Sequence, residues 1–223
     1  EIIDTKFYNC TSGSINIQSD SSVRFYNITR CHFEKCKNSQ QFSSIFFKGS
    51  NGVIESCTFL DNDVTLDGGD IYYSHQRPTS KKQIAADEDK LTVVNNVFVR
   101  SNEEHNKGCL FYYENTNGSF EFSGNQINVH ESVKINVFNC KDKIEDYSKW
   151  SIKSNTIYPL RKDIIKSENA NSLPFEESDF EEGPFYDFPV LKCPNQADFD
   201  TFIDDVENEL SFTDQKVYGC EKN

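Results

Sequence analysis

The sequence CTFLDNDVTLDGGDIYY, Cys57–Tyr73, decides the fold because versions of it recur along the chain. It contains an FxxN motif at Phe59–Asn62 and a GGxI motif at Gly68–Ile71. The aromatic residue of the first motif precedes the isoleucine of the second by twelve positions. Two further aromatic–aliphatic pairs share this spacing: Phe33 with Ile45, and Phe98 with Leu110. A repeat that returns similar residues at regular positions is typical of a solenoid.

Aligning the repeats gives six coils, each with one apolar residue that we call the anchor: Phe7, Phe33, Phe59, Phe98, Ile127 and Ile157. The position two residues before each anchor is held by Thr5, Cys31, Cys57, Asn96, Asn125 and Asn155. In a parallel β-helix, equivalent residues of successive coils stack about 4.8 Å apart. Stacked Phe then fills the interior, and stacked Asn forms amide ladders. The pattern predicts an all-β fold, a right-handed parallel β-helix of about six coils.

Each coil divides into three short strands, joined by turns that contain Gly, Asn and Ser. One strand of each coil contains the anchor, as in Cys31–Phe33 and Cys57–Phe59. A second set comprises Val23–Phe25, Val53–Glu55, Leu91–Val94, Ser119–Phe122 and Lys149–Ile152, and a third comprises Ile15–Ile17, Ser44–Phe47, Asp70–Tyr73, Cys109–Tyr112 and Lys134–Val137. The alternative is an antiparallel sandwich of many short strands, which does not require stacked Asn or Phe positions.

The repeats end near Leu160, which predicts a β-helix domain at 1–160 and a C-terminal acidic extension at 161–223. We expect the extension to run along the solenoid with four rings against its flank: Phe175, Phe180, Phe185 and Phe188. Within Gln196–Leu210, apolar residues recur on one helical face and acidic residues on the other. This pattern predicts a helix that caps the open end of the β-helix, closed by a disulfide between Cys193 and Cys220.

Charge and composition disfavour several partner classes. The formal net charge of −13 disfavours binding to nucleic acid or to anionic lipid. No run of about eighteen apolar residues is present, so we expect membrane attachment only through a parent protein's anchor outside this chain. The sequence contains no Met and begins within a strand-like pattern, which favours a processed piece of a longer precursor.

Three sequons, together with eight cysteines, indicate an extracellular or cell-surface protein. The sequons predict glycosylation at Asn9, Asn27 and Asn117. No CxxC pair with a downstream partner pair is present, so a structural zinc site is not expected and no cofactor is predicted.

Four of the cysteines occupy equivalent positions in adjacent coils: Cys10 with Cys36, and Cys31 with Cys57. Neighbouring parallel strands place such residues within disulfide range. Buried free thiols that act as small apolar residues are the alternative, and the inward direction predicted for Cys31 and Cys57 favours it there. Cys109 and Cys140 have no evident partner, and the connectivity of all six stays open.

The register of the repeats breaks at Ser74–Lys90, where a long polar loop replaces a short turn. Inserted loops of solenoids often bind partners, and the alternative is a tolerated surface insertion. The candidate contacts in this loop are His75, Arg77, Lys81 and Lys82. An aromatic stripe supplies two more candidates, Tyr72 and Tyr112, and comprises Tyr72, Tyr73, Phe111, Tyr112 and Tyr113. Because strand residues alternate in direction, about half of the stripe is expected to be exposed; core packing is the alternative for each ring.

A cluster of aspartates on one coil raises the possibility of an enzyme. Asp61, Asp63, Asp67 and Asp70 are weak candidates for paired carboxylates or a hard-cation site. Aspartates around a turn also serve local hydrogen bonding, and an EF-hand loop beginning at Asp61 would require Gly at the position of Leu66. The four histidines have no partner motif such as GxSxG. We therefore predict no catalytic residue and no resident metal.

The FxxN and GGxI units resemble the repeats of the polymorphic outer membrane protein family of chlamydiae and trichomonad protists. Phe59–Asn62 and Gly68–Ile71 match in full, and Phe122–Asn125 matches FxxN. Phe7–Cys10 and Phe33–Cys36 carry Cys in place of Asn, and Lys107-Gly108-Cys109-Leu110 is a degraded GGxI. The resemblance covers roughly residues 1–160 and implies a secreted or surface-displayed β-helix used in adhesion to host cells.

The function expected from these observations is a non-catalytic adhesion module that contacts a host-cell protein or glycan. One alternative is a polysaccharide lyase or glycoside hydrolase, because parallel β-helices also carry such enzymes. The other is a structural spacer of a larger surface protein.

Overall fold

The computed structural model describes residues 1–18, 25–38, 41–48, 51–64, 68–74, 90–101, 108–114, 119–141, 149–160, 164–165 and 180–183. Within these ranges the chain is a parallel β-solenoid, in which every strand pairs in parallel with the equivalent strand of the neighbouring coil. This finding excludes the antiparallel sandwich for the described residues.

Three sheets form the walls of the solenoid. The anchor wall contains β2 (Lys6–Tyr8), β5 (His32–Glu34), β9 (Thr58–Leu60), β13 (Val97–Arg100), β16 (Gln126–Val129), β19 (Asn155–Tyr158) and β20 (Phe180–Glu182). The aromatic wall contains β3 (Ile15–Gln18), β7 (Phe42–Lys48), β11 (Gly69–Ser74), β14 (Cys109–Glu114) and β17 (Asn136–Cys140). The polar wall contains β1 (Ile2–Ile3), β4 (Phe25–Thr29), β8 (Asn51–Glu55), β12 (Lys90–Val94), β15 (Ser119–Ser123) and β18 (Trp150–Lys153). A short pair, β6 (Lys37–Asn38) and β10 (Asp63–Val64), lies between the anchor and aromatic walls.

The six predicted anchors pair with one another in order along the anchor wall, which confirms the alignment of the repeats. Ring centroids are 4.8 Å apart between Phe7 and Phe33, 4.9 Å between Phe33 and Phe59, and 4.7 Å between Phe59 and Phe98. These distances equal the spacing of neighbouring strands, so the hydrogen-bonded rise of the coils also places the rings in stacking contact. The interior therefore contains a continuous column of four stacked rings, from Phe7 to Phe98, which Ile127 and Ile157 extend.

Asparagine side chains satisfy the backbone at the corner between the polar and anchor walls. The N–H of Asn96 donates to Oδ1 of Asn125 (3.0 Å), and the N–H of Asn125 donates to Oδ1 of Asn155 (3.0 Å). Each amide nitrogen donates in turn to a carbonyl of the preceding coil; Nδ2 of Asn96 reaches the Ile54 carbonyl at 3.0 Å. We call the column Thr5, Cys31, Cys57, Asn96, Asn125 and Asn155 the first corner ladder.

Cysteine replaces asparagine in this ladder with the same partners. Sγ of Cys57 accepts the N–H of Cys31 at 3.4 Å and lies 3.5 Å from the carbonyl oxygen of Ile28. That carbonyl is equivalent to the Ile54 carbonyl that Asn96 contacts one coil later. A thiol is a weak donor and a weak acceptor, so it meets the same two backbone groups as the amide does, though with longer contacts.

A second corner ladder, Cys10, Cys36 and Asn62, follows the anchor strands. The Cys36 N–H donates to Oδ1 of Asn62 (2.8 Å), and Nδ2 of Asn62 donates to the Phe33 carbonyl (3.1 Å). The FxxN motif therefore combines a buried ring with an amide that closes the corner three residues later. The second FxxN motif, Phe122–Asn125, also combines a buried ring with an asparagine that hydrogen bonds at a corner. Its asparagine, Asn125, belongs to the first corner ladder and not to the second.

The residue before each ladder position adopts a left-handed backbone conformation. Within the described ranges, the non-glycine residues with positive φ all lie there: Asp4, Asn9, Arg30, Lys35, Ser56, Asp61, Asn95 and Ser154. Gly124, with φ +65°, holds the equivalent position before Asn125. This conformation is unfavourable for most side chains, so its repetition shows that the corner hydrogen bonds outweigh the local cost.

The glycines of the GGxI motif allow adjacent coils to approach closely. A Cβ atom on Gly68 would lie 2.0 Å from the backbone carbonyl oxygen of Gln41 in the preceding coil. In the next coil, Gly69 pairs with Cys109 and Ile71 pairs with Phe111. The unit equivalent to GGxI is therefore Gly108–Phe111, which shifts the predicted repeat at 107–110 by one residue.

Three predicted strand registers are wrong. Ile71 pairs with Phe111 and not with Leu110. Phe111 pairs with Phe138, which lies just beyond the strand predicted at Lys134–Val137. On the polar wall, the residue that pairs with Val53 is Asn27, which lies beyond the strand predicted at Val23–Phe25. Leu110, Phe111, Tyr112 and Tyr113 are all buried. Both faces of these aromatic-wall strands are covered, so the period-two signal is lost there and the sequence does not specify the register of the first two pairings.

The described part of the C-terminal extension joins the solenoid. β20 pairs in parallel with β19, and Phe180, which is 4 % exposed, contacts the Phe138 ring edge-on at 6.4 Å between centroids. The Phe138 N–H donates to the Ile165 carbonyl at 3.1 Å. Phe180 was expected to pack on the flank of the solenoid, but its segment instead adds a further strand to the anchor wall. The predicted capping helix, Cys193 and Cys220 lie outside the described residues.

Replacing Asn96 by Ala tests the ladder. The change leaves the Cys57 N–H and the Ile54 carbonyl without their side-chain partner, and we expect the free energy of unfolding to fall by about 1–3 kcal/mol. Replacing Cys57 by Asn supplies an amide at a thiol position, so its expected effect is below about 1 kcal/mol. Urea unfolding monitored by circular dichroism measures both; equal stability of the Asn96→Ala variant and the unsubstituted chain would contradict this role.

Candidate functional site

The predicted aromatic contacts form an outward-facing row on the aromatic wall. Phe46, Tyr72 and Tyr112 pair in register, and consecutive ring centroids are 5.1 Å apart. The expectation that about half of the stripe is exposed is wrong, because all of its rings are at most 5 % exposed: Tyr72, Tyr73, Phe111, Tyr112 and Tyr113. The stacked rings consequently lack the open faces that a sugar or protein would contact.

A charged group lies beside this row and binds its middle ring. The Tyr72 hydroxyl donates to the carboxylate of Glu114, which also accepts a hydrogen bond from the Lys141 ammonium. Burial favours the neutral carboxyl, but the hydrogen bonds from Lys141 and Tyr72 outweigh it and hold the pKa of Glu114 below its ordinary value. Tyr72 is therefore fixed by its hydroxyl as well as by its ring.

The predicted loop contacts His75, Arg77, Lys81 and Lys82 lie outside the described residues. The structure does place both ends of this loop. It leaves the aromatic wall at Ser74 and returns to the polar wall at Lys90. The loop therefore begins and ends at the corner between these two walls.

Two of the candidate aspartates already have protein partners. Asp61 accepts hydrogen bonds from the backbone N–H (2.7 Å) and the hydroxyl (2.6 Å) of Ser101, one coil further on. Asp70 accepts from Arg100 at 2.7 Å and from Ser43 at 2.9 Å. Asp63 lies on β10 and Asp67 is outside the described residues. Among the residues that the structure describes, no three His, Cys, Asp or Glu side chains are placed to hold a metal ion.

Asp70 and Arg100 form an ion pair in which each side chain is 1 % exposed. Burial raises the pKa of Asp70, while Arg100 and Ser43 oppose that shift. Sequence reasoning did not identify Arg100, which is the last residue of the anchor strand β13 and belongs to no motif. Only the coiling of the chain brings β13 next to the aspartate of β11.

The polar wall has the most open outward face among the described strands. Its central row is partly exposed along its whole length and consists of Asn27, Val53, Thr92, Glu121 and Ser151. The adjacent row is also partly exposed, fully so only at Lys153, and consists of Thr29, Glu55, Val94, Ser123 and Lys153. The anchor wall has one partly exposed outward row, Lys6, His32, Thr58, Val97, Gln126 and Thr156. Its other outward row, Glu34, Leu60, Val99 and Asn128, is at most 5 % exposed.

A shallow depression of about 230 Å³ lies on the polar wall. Its lining residues are Lys90, Ser119, Phe120, Glu121, Lys149 and Ser151. Hydroxyl, carboxylate and ammonium groups therefore converge there on a flat sheet surface. The sequence carried a signal for this wall that was not used: Ser119–Ser123 reads SFEFS, a strict alternation typical of a strand with one wet face.

Two of the predicted glycosylation sites are described and lie on the surface. Asn9 is exposed and directly precedes Cys10 of the second corner ladder. Asn27 lies on the central row of the polar wall, where the Thr29 hydroxyl donates to its Oδ1 at 2.6 Å. Asn117 lies outside the described residues. A glycan on Asn27 would cover part of the polar wall.

The two cysteine pairs are free thiols in contact across adjacent coils. The hydrogen bond from the Cys36 thiol lowers the pKa of Cys10 to about 6, against the effect of its partial burial. The equivalent bond from Cys57 lowers the pKa of Cys31 to about 7. As donors, Cys36 and Cys57 have pKa values above the ordinary range, and burial adds to that rise.

No protein-family model, curated protein or solved structure matches this chain at a significant level. In the described part of the chain, no helix has the length and apolar character needed to cross a membrane.

Replacing Arg100 by Met tests the buried ion pair. The change leaves Asp70 buried without its cation, and we expect the free energy of unfolding to fall by about 3–5 kcal/mol. Replacing Asp70 by Asn in the same chain removes the stranded charge and keeps an acceptor for Ser43, so most of the loss should be recovered. Urea unfolding of both single variants and the double variant measures the coupling, and strictly additive losses would argue against an ion pair.

Alkylation of Cys10 by iodoacetamide tests the thiol hydrogen bond. Because the thiolate is the reactive form, the rate should rise with a midpoint near pH 6, compared with the ordinary value of 9.0. Below that midpoint the protonated thiol predominates and the reaction slows. Replacing Cys36 by Ala removes the donor and should move the midpoint toward 9.0, with circular dichroism as the control for folding. A midpoint near 9.0 in the unsubstituted chain would overturn this assignment.

Proposed function

We propose that this chain is a non-catalytic binding module that presents the outward face of its polar wall to a protein or glycan partner. One observation carries the proposal: the polar wall has two adjacent outward rows that remain partly exposed along the coils, whereas the anchor wall has one such row beside a buried one, and the aromatic wall buries the rings of Tyr72 and Tyr112. The wall combines short hydroxyl and amide side chains with lysine and glutamate. The short side chains can hydrogen bond to polar partners with little loss of side-chain entropy.

The solenoid supports this role by making the surface rigid. Inward residues of the polar wall, among them Ile28, Ile54, Val93 and Phe122, are fully buried. The backbone that carries the outward side chains is therefore fixed by the packing of the inward residues and by the hydrogen bonds of the first corner ladder. A preorganised surface avoids the ordering cost that a flexible loop would bear on binding.

The setting we propose is extracellular or at a cell surface, with the partner on a host cell. The FxxN and GGxI units, which resemble repeats of the polymorphic outer membrane proteins, and the sequons at Asn9 and Asn27 support it. The polar wall replaces Tyr72 and Tyr112 as the candidate contact, because those rings are buried. Asp61 and Asp70 are engaged by Ser101 and Arg100, and no observation favours a catalytic role for them.

Charge insertion on the polar wall tests the proposal. Binding of the purified chain to a glycan array and to host cells is compared with that of a Thr92→Arg, Glu121→Arg variant. These substitutions place two bulky cations at the centre of the wall, and we expect affinity to fall by about tenfold or more. The matched control, Gln126→Arg with Thr156→Arg, places the same groups on partly exposed positions of the anchor wall and should bind normally.

Two results would contradict the polar-wall assignment. The first is normal binding by the polar-wall variant, and the second is equal loss by both variants. In either case, residues 75–89 are replaced by a short Gly-Ser turn, and loss of binding by that variant would identify the loop as the contact. Release of reducing or unsaturated sugar ends during the assay would identify an enzyme.

A further inference from the structure

Cys10 and Cys36 are direct neighbours on the second corner ladder, in adjacent coils. The Asn9 N–H donates to the Glu34 carbonyl (2.9 Å), and the Lys37 N–H donates to the Cys10 carbonyl (2.6 Å), so the two cysteines are bracketed by continuous pairing. Equivalent residues of paired parallel strands lie about 4.8 Å apart, within the Cα separation that a disulfide spans. Coil formation therefore brings the two thiols together without any rearrangement of the backbone.

The two thiols differ in access and in environment. Cys10 is partly exposed, whereas Cys36 is 0 % exposed. The Ser14 hydroxyl donates to Sγ of Cys36 at 3.2 Å, and the Cys36 thiol hydrogen bonds to Cys10. An oxidant in solution can reach Cys10 and form a mixed disulfide there. Cys36 is in contact with Cys10, so its sulfur can attack that mixed disulfide. This division matches the roles of an attacking and a resolving cysteine.

The chain also contains a matched pair in a buried setting. Cys31 and Cys57 occupy the first corner ladder with the same neighbour relation, and they are 2 % and 1 % exposed. The two pairs share coil spacing and thiol–thiol contact but differ in whether one sulfur reaches the surface. Because the two pairs have the same geometry, we expect their reactivity to differ only through the access of solvent to Cys10.

We propose that Cys10 and Cys36 are a reversible disulfide site that cross-links the first coil to the second, driven by a small disulfide such as oxidised glutathione. The Cys10 thiolate attacks one sulfur of the oxidant, forms a mixed disulfide and releases one glutathione thiolate. The Cys36 thiol loses its proton to solvent and its sulfur attacks Cys10 Sγ, releasing the second glutathione thiolate. Two protein thiols are oxidised and one small disulfide is reduced, so electrons and atoms balance.

The cross-link alters the end of the solenoid. In the reduced chain Cys36 Sγ lies 3.5 Å from the Phe7 carbonyl oxygen, one of the contacts that hold the first coil. Oxidation replaces these weak sulfur contacts with a covalent bond between the coils. We expect slower amide exchange in β2 after oxidation, because this strand belongs to the terminal described coil and pairs with β5 alone among the described strands. The site goes beyond the proposed binding function and does not depend on it.

Peptide mapping after oxidation tests the proposal. The folded chain is treated with oxidised glutathione at neutral pH without denaturant, quenched by alkylation, and digested with trypsin without reduction. Cleavage after Lys35 separates the peptide of Cys31 from that of Cys36, so mass spectrometry assigns each link. We expect a Cys10–Cys36 link that forms about tenfold faster than any Cys31–Cys57 link and is reversed by dithiothreitol.

Two variants complete the test. Replacing Cys36 by Asn keeps a ladder side chain but removes the resolving sulfur, so Cys10 should accumulate as a stable mixed disulfide. Replacing Cys57 by Asn leaves the Cys10–Cys36 link and its rate unchanged. The proposal is overturned if Cys10 of the unsubstituted chain stays unmodified, stays as a mixed disulfide, or links to any cysteine other than Cys36. A faster link between Cys31 and Cys57 also overturns it.

Discussion

The hydrogen bond between a ladder side chain and the backbone of the neighbouring coil is the interaction on which this solenoid depends. At each corner the chain leaves one sheet and enters the next, so backbone groups there have no strand partner. Nδ2 and Oδ1 of Asn96, Asn125 and Asn155 satisfy them inside the fold. Buried polar groups that lack a partner cost far more than the modest net value of the bonds they make. This requirement selects both the residue at the ladder and the left-handed residue before it.

Corner closure also determines the position of the core and the use of cysteine. Once the corners hold successive coils at the spacing of paired strands, Phe33, Phe59 and Phe98 stack without a further constraint. A thiol offers weaker versions of the two amide contacts, and so Cys can occupy positions in both ladders. Where two such thiols follow each other they come into contact. Redox chemistry at Cys10 is thus a consequence of a structural position.

The walls differ in which face is covered, and this difference directs the functional interpretation. The aromatic wall carries buried rings on both faces, with Tyr72 held by Glu114 as well as by stacking. The polar wall buries one face and leaves the other open, and it therefore supports the proposal of a rigid contact surface. The aspartates of the central repeat serve the fold: Asp61 joins adjacent coils through Ser101, and Asp70 neutralises the buried Arg100.

The sequence by itself determined the parallel coil, the six anchors and the ladder positions, because each follows from a residue type repeated at a coil interval. The tertiary structure alone decided which faces are open, since burial of an outward residue such as Tyr112 depends on what else packs against its wall. It also decided the pairing of Asp70 with Arg100, which lie thirty positions apart and carry no common motif. The register at Leu110 and Phe111 was likewise beyond sequence reasoning, because neighbouring apolar residues bury equally well and only hydrogen bonding between coils distinguishes them.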